Sequence, residues 1–210
     1  MGVDAPVNRD VPLVVGVAGK CCAGKDLVAD WLRQRHWREI NVDHLGHRAL
    51  EARRDAVVAA FGAQILREDG AIDRSKLGPI VFSSAKRLRE LEAIVHPWMR
   101  EEVRRETEAF RRTAPEKRSR GLVINAALLF HMGMDTLCDS VILVRAPLAA
   151  RLLRAIRRDG FHPGRILFRL RTQRRLETQA HSSPADIITV DNRGTPQALY
   201  RCLEEVPQLQ

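Results

Sequence analysis

Aromatic residues, cysteines and long apolar runs are all scarce in this sequence, and each shortage closes off a class of function. Aromatic side chains make up 5% of the 210 residues, too few for the stacking platforms that hold single-stranded nucleic acid. The longest apolar stretch, around Leu122 to Phe130, is interrupted by Asn125 and is far too short to span a bilayer. The four cysteines, Cys21, Cys22, Cys138 and Cys202, show no metal-ligand pairing, since adjacent Cys21 and Cys22 do not form C-x-x-C. The opening MGVDAP lacks the apolar core of a secretory leader, and Pro6 stands where a myristoylation signal wants Ser or Thr. A reducing cytoplasm is the expected setting, with no membrane partner. No internal repeat is visible.

Positive charge, by contrast, is plentiful. The net charge is +9, and between Arg151 and Arg175 nine arginines accompany one carboxylate, Asp159. Such a segment is expected to meet an anion, whether nucleic acid, a membrane surface or the phosphates of a nucleotide. Nucleic-acid binding is the competing reading from another functional class and predicts strong salt dependence. Against it, only Phe161 and Phe168 interrupt the arginine run. Hydrophobic content of 45% and charged content of 29% describe an ordinary globular chain, long enough for one core with small inserted lobes.

The chain is organised around LVVGVAGKCCAGKD, Leu13 to Asp26. An apolar run (Leu13, Val14, Val15, Val17) reads as a strand buried on both faces. Glycines follow at 16, 19 and 24, then Lys25, and then a helical pattern through Leu27, Val28, Trp31 and Leu32. Gly19 to Lys25 fits G-x-x-x-x-G-K, in which backbone N–H groups wrap a polyphosphate at a helix N-terminus and the lysine reaches the β- and γ-phosphates. Residues 19–27 (Gly19, Lys20, Cys21, Cys22, Ala23, Gly24, Lys25, Asp26 and Leu27) are therefore the expected ATP-binding stretch. Ser or Thr normally follows the lysine and binds Mg²⁺. Here Asp26 does, and its carboxylate is tolerable beside a phosphate if Mg²⁺ lies between them.

Downstream, strands alternate with helices, which predicts a three-layer α/β fold with a five-stranded parallel sheet. Met1 to Asp10 reads as a disordered lead-in. A short second strand is expected over Trp37 to Val42, ending at Asp43, followed by helix from His44 to Gly62. Helices are expected over Asp73 to Phe82 and Ser84 to Val95, the latter stopped before Pro97, with a polar helix from Trp98 to Arg112. Strands follow at Gly121 to Ala126, Ser140 to Arg145 and Ile187 to Val190, and Pro196 to Val206 closes the chain as a helix. The arginine-rich stretch 147–178 reads as two helices broken by a turn with Gly160, Pro163 and Gly164. The expected organisation is one domain: a core (11–43, 121–150, 180–206), a helical acceptor-binding lobe (about 44–115) and a lid (about 155–175). Asp43, at a strand end, suits a general base beside a γ-phosphate, and equally suits a helix N-cap.

NVDHLGHRAL (41–50), DRSKLGPIVF (73–82) and LEAIVHPWM (91–99), in that order behind the glycine loop, resemble dephospho-coenzyme A kinase. That family moves the γ-phosphate of ATP to the 3′-hydroxyl of dephospho-coenzyme A. The resemblance covers Leu13 to Leu203 and implies Asp43 as base. It implies His44, Arg74, Leu77, His96 and Pro97 in the acceptor lobe, and Arg158 as a lid arginine on ATP. Arg154, four residues earlier on the same expected helix, would share its face and join it on the phosphates. It also implies a turn at Asp191 to Gly194, including Asn192, against which adenine packs. Lys25, Asp43 and Arg158 are then the catalytic set, Asp26 the metal ligand, and ATP, Mg²⁺ and dephospho-coenzyme A the small molecules, with a monomer or weak oligomer expected. The pattern is broken at Asn41 (usually Asp) and in NAALLFH, Asn125 to His131, where D-x-P-L-L-F-E is usual; Ala127 and His131 thus lack the proline and the carboxylate. G-K-D in the loop also resembles phosphomevalonate kinase and phage deoxynucleotide kinases. A small kinase with another acceptor is therefore the runner-up, and a silent nucleotide-binding regulator a third reading.

Overall fold

The structure, a computed structural model, describes residues 13–114, 119–159 and 176–209, save the side chains of 158, 159 and 177. The expected lead-in, the Gly160–Pro163–Gly164 turn and most of the expected lid therefore lie outside the described residues. The chain divides into two compact units, Met1–Ile40 with Glu106–Gln210, and Asn41–Arg105.

The first unit is built on a five-stranded sheet in the order β2-β3-β1-β4-β5. Its strands are β1 (Val14–Gly19), β2 (Arg38–Asn41), β3 (Leu122–Asn125), β4 (Ser140–Arg145) and β5 (Asp186–Asp191). β1 runs parallel to β3 and β4, and β4 parallel to β5. VVGVAG is central and wholly buried because its side chains are covered from both faces. Gly19 is required where β1 ends: a Cβ there would lie 2.7 Å from the backbone oxygen of Val144. The α/β expectation is met, with α1 (Lys25–Arg33) burying Val28, Trp31 and Leu32 in one core with Val15, Val17, Ile142 and Val144.

The Asn41–Arg105 unit carries α2 (Val42–Ala52), α3 (Arg54–Phe61), α4 (Arg74–Phe82) and the greater part of α5 (Ala85–Arg112). Three expectations are corrected here. β2 stops at Asn41, so Asp43 lies in the first turn of α2 rather than at a strand end; the cap is Asn41, whose Oδ1 accepts from the backbone N–H of His44 at 3.2 Å. The expected single helix to Gly62 breaks at Arg53 (φ −113, ψ 20) into α2 and α3. Finally, α5 does not stop before Pro97 but runs through it for 28 residues. Pro97 and Ala93, whose carbonyl loses its N–H donor, are both exposed, so water can serve that carbonyl. Burial of Val95, Met99, Val103 and Phe110 along the helix outweighs the lost bond. After β4 come α6 (Leu148–Asp159), α7 (Leu176–His181) and α8 (Pro196–Glu204). Among the described residues, no helix is long and apolar enough to cross a membrane.

Candidate active site

β1 lies between β3 and β4, so its carboxyl end opens into the crevice where parallel sheets bind ligands. The loop there turns on Gly24, which caps α1 in the left-handed region (φ 107) and leaves 2.3 Å between a notional Cβ and Asn192 Nδ2. Among the described residues, no hydrogen bond engages the backbone N–H of Gly24, Lys25 or Asp26, the unfilled donors of a helix start. Lys25 is 9% exposed, and no hydrogen bond or ion pair engages its ammonium among the described residues. A buried cation without a counter-charge is destabilising by several kcal/mol, on the order of what an arriving anion returns. The loop therefore fits a polyphosphate, the strongest anion that such donors bind.

Asp26 is exposed, and its Oδ1 accepts from Asn125 Nδ2 at 3.2 Å. The same amide nitrogen donates to Glu39 Oε1 at 3.0 Å, while Arg33 Nε lies 3.0 Å from the other Glu39 oxygen. One buried amide thus joins two carboxylates of hard oxygen donors, the ligand type Mg²⁺ takes alongside phosphate and water. Glu39 was not legible as a site residue: REIN reads as a strand of mixed polarity, and only the β2–β3 neighbourhood brings Glu39 to Asn125.

Four residues expected on the nucleotide are placed differently from one another. Lys20 lines a cavity of about 340 Å³ at the carboxyl ends of β4 and β5, with Arg145, Pro147, Arg151, Asp191 and Arg193. Asn192, between the lining residues Asp191 and Arg193, is buried, and its Nδ2 donates to the carbonyl of Ala23 at 2.8 Å. Arg154 lies on the loop's carbonyls, at 3.3 Å from that of Cys22 and 3.4 Å from that of Ala23. Arg158 falls in the last turn of α6 with its side chain outside the described residues. Cys21 and Cys22 place their sulfurs 3.6 Å apart, Cys22 in the left-handed region (φ 58), and Leu27 is half-buried.

In the Asn41–Arg105 unit, Asp43 and His44 are exposed. Arg74 is hydrogen-bonded to the ring of His47, whose pKa is lowered by burial, then by Arg74 and His44, with Asp43 opposing. No spacing in the sequence announced the contact between His47 and Arg74. His96 is half-buried and Pro97 exposed on α5, whereas Leu77 is buried in the unit's core. Glu102, held by Arg48 at 2.7 Å and Arg105 at 2.8 Å, has its pKa lowered first by the hydrogen bond from Arg105.

Comparison with known proteins identifies the family. The family profile described as dephospho-CoA kinase matches residues 13–197. The dephospho-CoA kinase of Anaeromyxobacter dehalogenans is 35% identical over 189 residues, 89% of this chain and 86% of that protein. That of Shouchella clausii is 30% identical over 190 residues, 89% of this chain and 93% of that protein. Among solved structures, TT1252 from Thermus thermophilus superposes with a TM-score of 0.73 at 30% identity, covering 92% of this chain and 95% of that one. The chain belongs to the dephospho-CoA kinase family and is an ATP-dependent kinase.

Proposed function

We propose that this protein transfers the γ-phosphate of ATP to the 3′-hydroxyl of dephospho-coenzyme A through Lys25, Asp26 and Asp43. Lys25 carries the proposal: it is a buried ammonium without a partner among the described residues, beside three unused backbone donors. In this reading Lys25 and the N–H groups of Gly24, Lys25 and Asp26 grip the β- and γ-phosphates. The nucleoside end takes the cavity lined by Lys20, Arg145 and Arg193. Asp26 is the protein's ligand for Mg²⁺, oriented by Asn125, with Glu39 on the same amide. When bound, Mg²⁺ neutralises charge on the phosphate oxygens.

Asp43 accepts the proton of the 3′-hydroxyl as that oxygen attacks the γ-phosphorus, and ADP departs. His44, Arg74, His96 and Pro97 bind the acceptor, Leu77 supports them from the core, and Arg158 adds cationic charge at the transferring phosphoryl group. Because phosphoryl transfer is loose, alignment of the alcohol matters more than the strength of its base. The protein is taken to act in the cytoplasm as a monomer or weak oligomer. Asp26 alone favours a second reading, in which the acceptor is mevalonate phosphate or a deoxynucleoside monophosphate.

The test is mass spectrometry of the purified protein incubated with MgATP and each acceptor in turn. One phosphate gained by dephospho-coenzyme A alone is expected. No gain, or a gain on another acceptor instead, overturns the proposal.

A further inference from the structure

α6 meets the phosphate-binding loop from the side of its carbonyls. Arg151, 7% exposed, donates from Nε to the carbonyl of Cys21 at 2.9 Å. Arg154 spans two segments: Nη1 reaches the carbonyls of Cys22 (3.3 Å) and Ala23 (3.4 Å), and Nη2 the carbonyl (3.4 Å) and Oδ1 (3.2 Å) of Asn192. Asn192, 1% exposed, closes the triangle by donating Nδ2 to Ala23 at 2.8 Å. Its backbone N–H is tied in turn to the carbonyl of Arg145 at 2.7 Å, where β4 ends.

A peptide unit is planar and trans, so the N–H of each residue points opposite to the carbonyl before it. Holding the Cys21 carbonyl from behind therefore turns the Cys22 N–H to the opposite side. Holding the Ala23 carbonyl does the same for Gly24, whose N–H is unused among the described residues. The peptide between them is fixed from both ends, because the Ala23 N–H donates to Lys20 at 2.9 Å while its carbonyl partner Cys22 accepts from Arg154. A planar guanidinium suits this task, since one fork can serve two carbonyls on one edge and a neighbouring strand's turn on another.

We infer that Arg154 is a positioning residue that, with Asn192, locks the loop's amides in their anion-facing orientation, rather than a lid arginine on the phosphates. Through it, the ends of β1 and β5 are joined across α6. The inference rests on ATP occupying this loop, and its test separates the two claims.

The test is a double-substitution cycle on ATP affinity, measured by calorimetry, with kcat and both KM values alongside. Arg154→Ala and Asn192→Ala should each weaken ATP binding roughly tenfold to a hundredfold. The double variant should be no weaker than the worse single one, since both remove one lock. The KM for the acceptor should stay put, and free guanidinium ion should restore binding in Arg154→Ala. Arg154→Lys, which keeps the charge but not the fork, should resemble Arg154→Ala; it also carries the test if the alanine variant does not fold. Additive losses, or full activity of Arg154→Lys, would overturn the inference. Failure of the unsubstituted protein to bind ATP would instead overturn the reading on which it rests.

Discussion

The two units of this protein treat charge in opposite ways. In the unit that holds the sheet, the polar side chains around the loop are buried: Asn125, Arg151 and Asn192 are held by hydrogen bonds, and Lys25 has no partner among the described residues. In the Asn41–Arg105 unit, charges are mostly exposed and pair along a helix, as in Arg87–Glu90 and Glu101–Arg104 at 2.9 and 2.6 Å. Exposed pairs of this kind contribute little, because solvent screens them and holding two long side chains together costs entropy. The contrast teaches where rigidity is placed: the polar groups around the loop are fixed by buried hydrogen bonds, while the charged side chains of the helical unit stand mostly in solvent.

Replacing Lys25 breaks the comparison most severely. Lys25→Met should lower kcat/KM by about 10³-fold, the scale of losing a preorganised charge at a reacting centre. Thermal stability in the absence of nucleotide should hold or rise, because a buried ammonium without a described partner is removed; a fall in melting temperature would contradict its being unpaired.

Next come the carboxylates joined by Asn125. Asp26→Ser should keep activity while shifting the Mg²⁺ concentration needed for half-maximal rate. Asn125→Asp sets a third carboxylate where one amide now serves two, removing a shared donor at about 1–3 kcal/mol. Part of that loss should return with Mg²⁺, visible as a metal-dependent melting temperature larger than in the parent. An Asn125→Asp protein indifferent to Mg²⁺ would separate these residues from the metal.

The smallest effect belongs to the helical unit. Glu102 has a depressed pKa in the folded state, chiefly through Arg105. Its contribution is present above the ordinary glutamate range, about 4.3, and is lost as pH falls through the lowered folded value. Glu102→Gln should therefore lose stability at pH 8, where the charged form contributes fully, and converge on the parent as pH falls below about 4, flattening the acid side of the stability curve. Equal losses at both pH values would show that Glu102 acts by packing alone.

Much of the nucleotide side is legible in the sequence because its signals are local. An apolar run, Gly19, Gly24 and Lys25 specify strand, turn and helix start within a dozen or so residues. What is not legible depends on direction. Arg154 announces a charge on an amphipathic helix but not whether it faces phosphates or the loop's carbonyls. Asn192 announces a turn but not that its amide is used up on Ala23. Glu39 meets Asn125 only through strand order, and Pro97 marks a helix end until the burial of Met99 and Val103 is known. In each case tertiary packing overrides a short-range rule.

The central claim, that Asp43 serves the alcohol while Lys25 and the loop serve the nucleotide, is tested most directly by Asp43→Asn. Calorimetric titration with ATP and steady-state kinetics would be run on the same preparation. The expected result is an ATP affinity within about twofold of the parent with kcat reduced by roughly 10²-fold or more. An unchanged kcat, or an ATP affinity that collapses along with turnover, would contradict it.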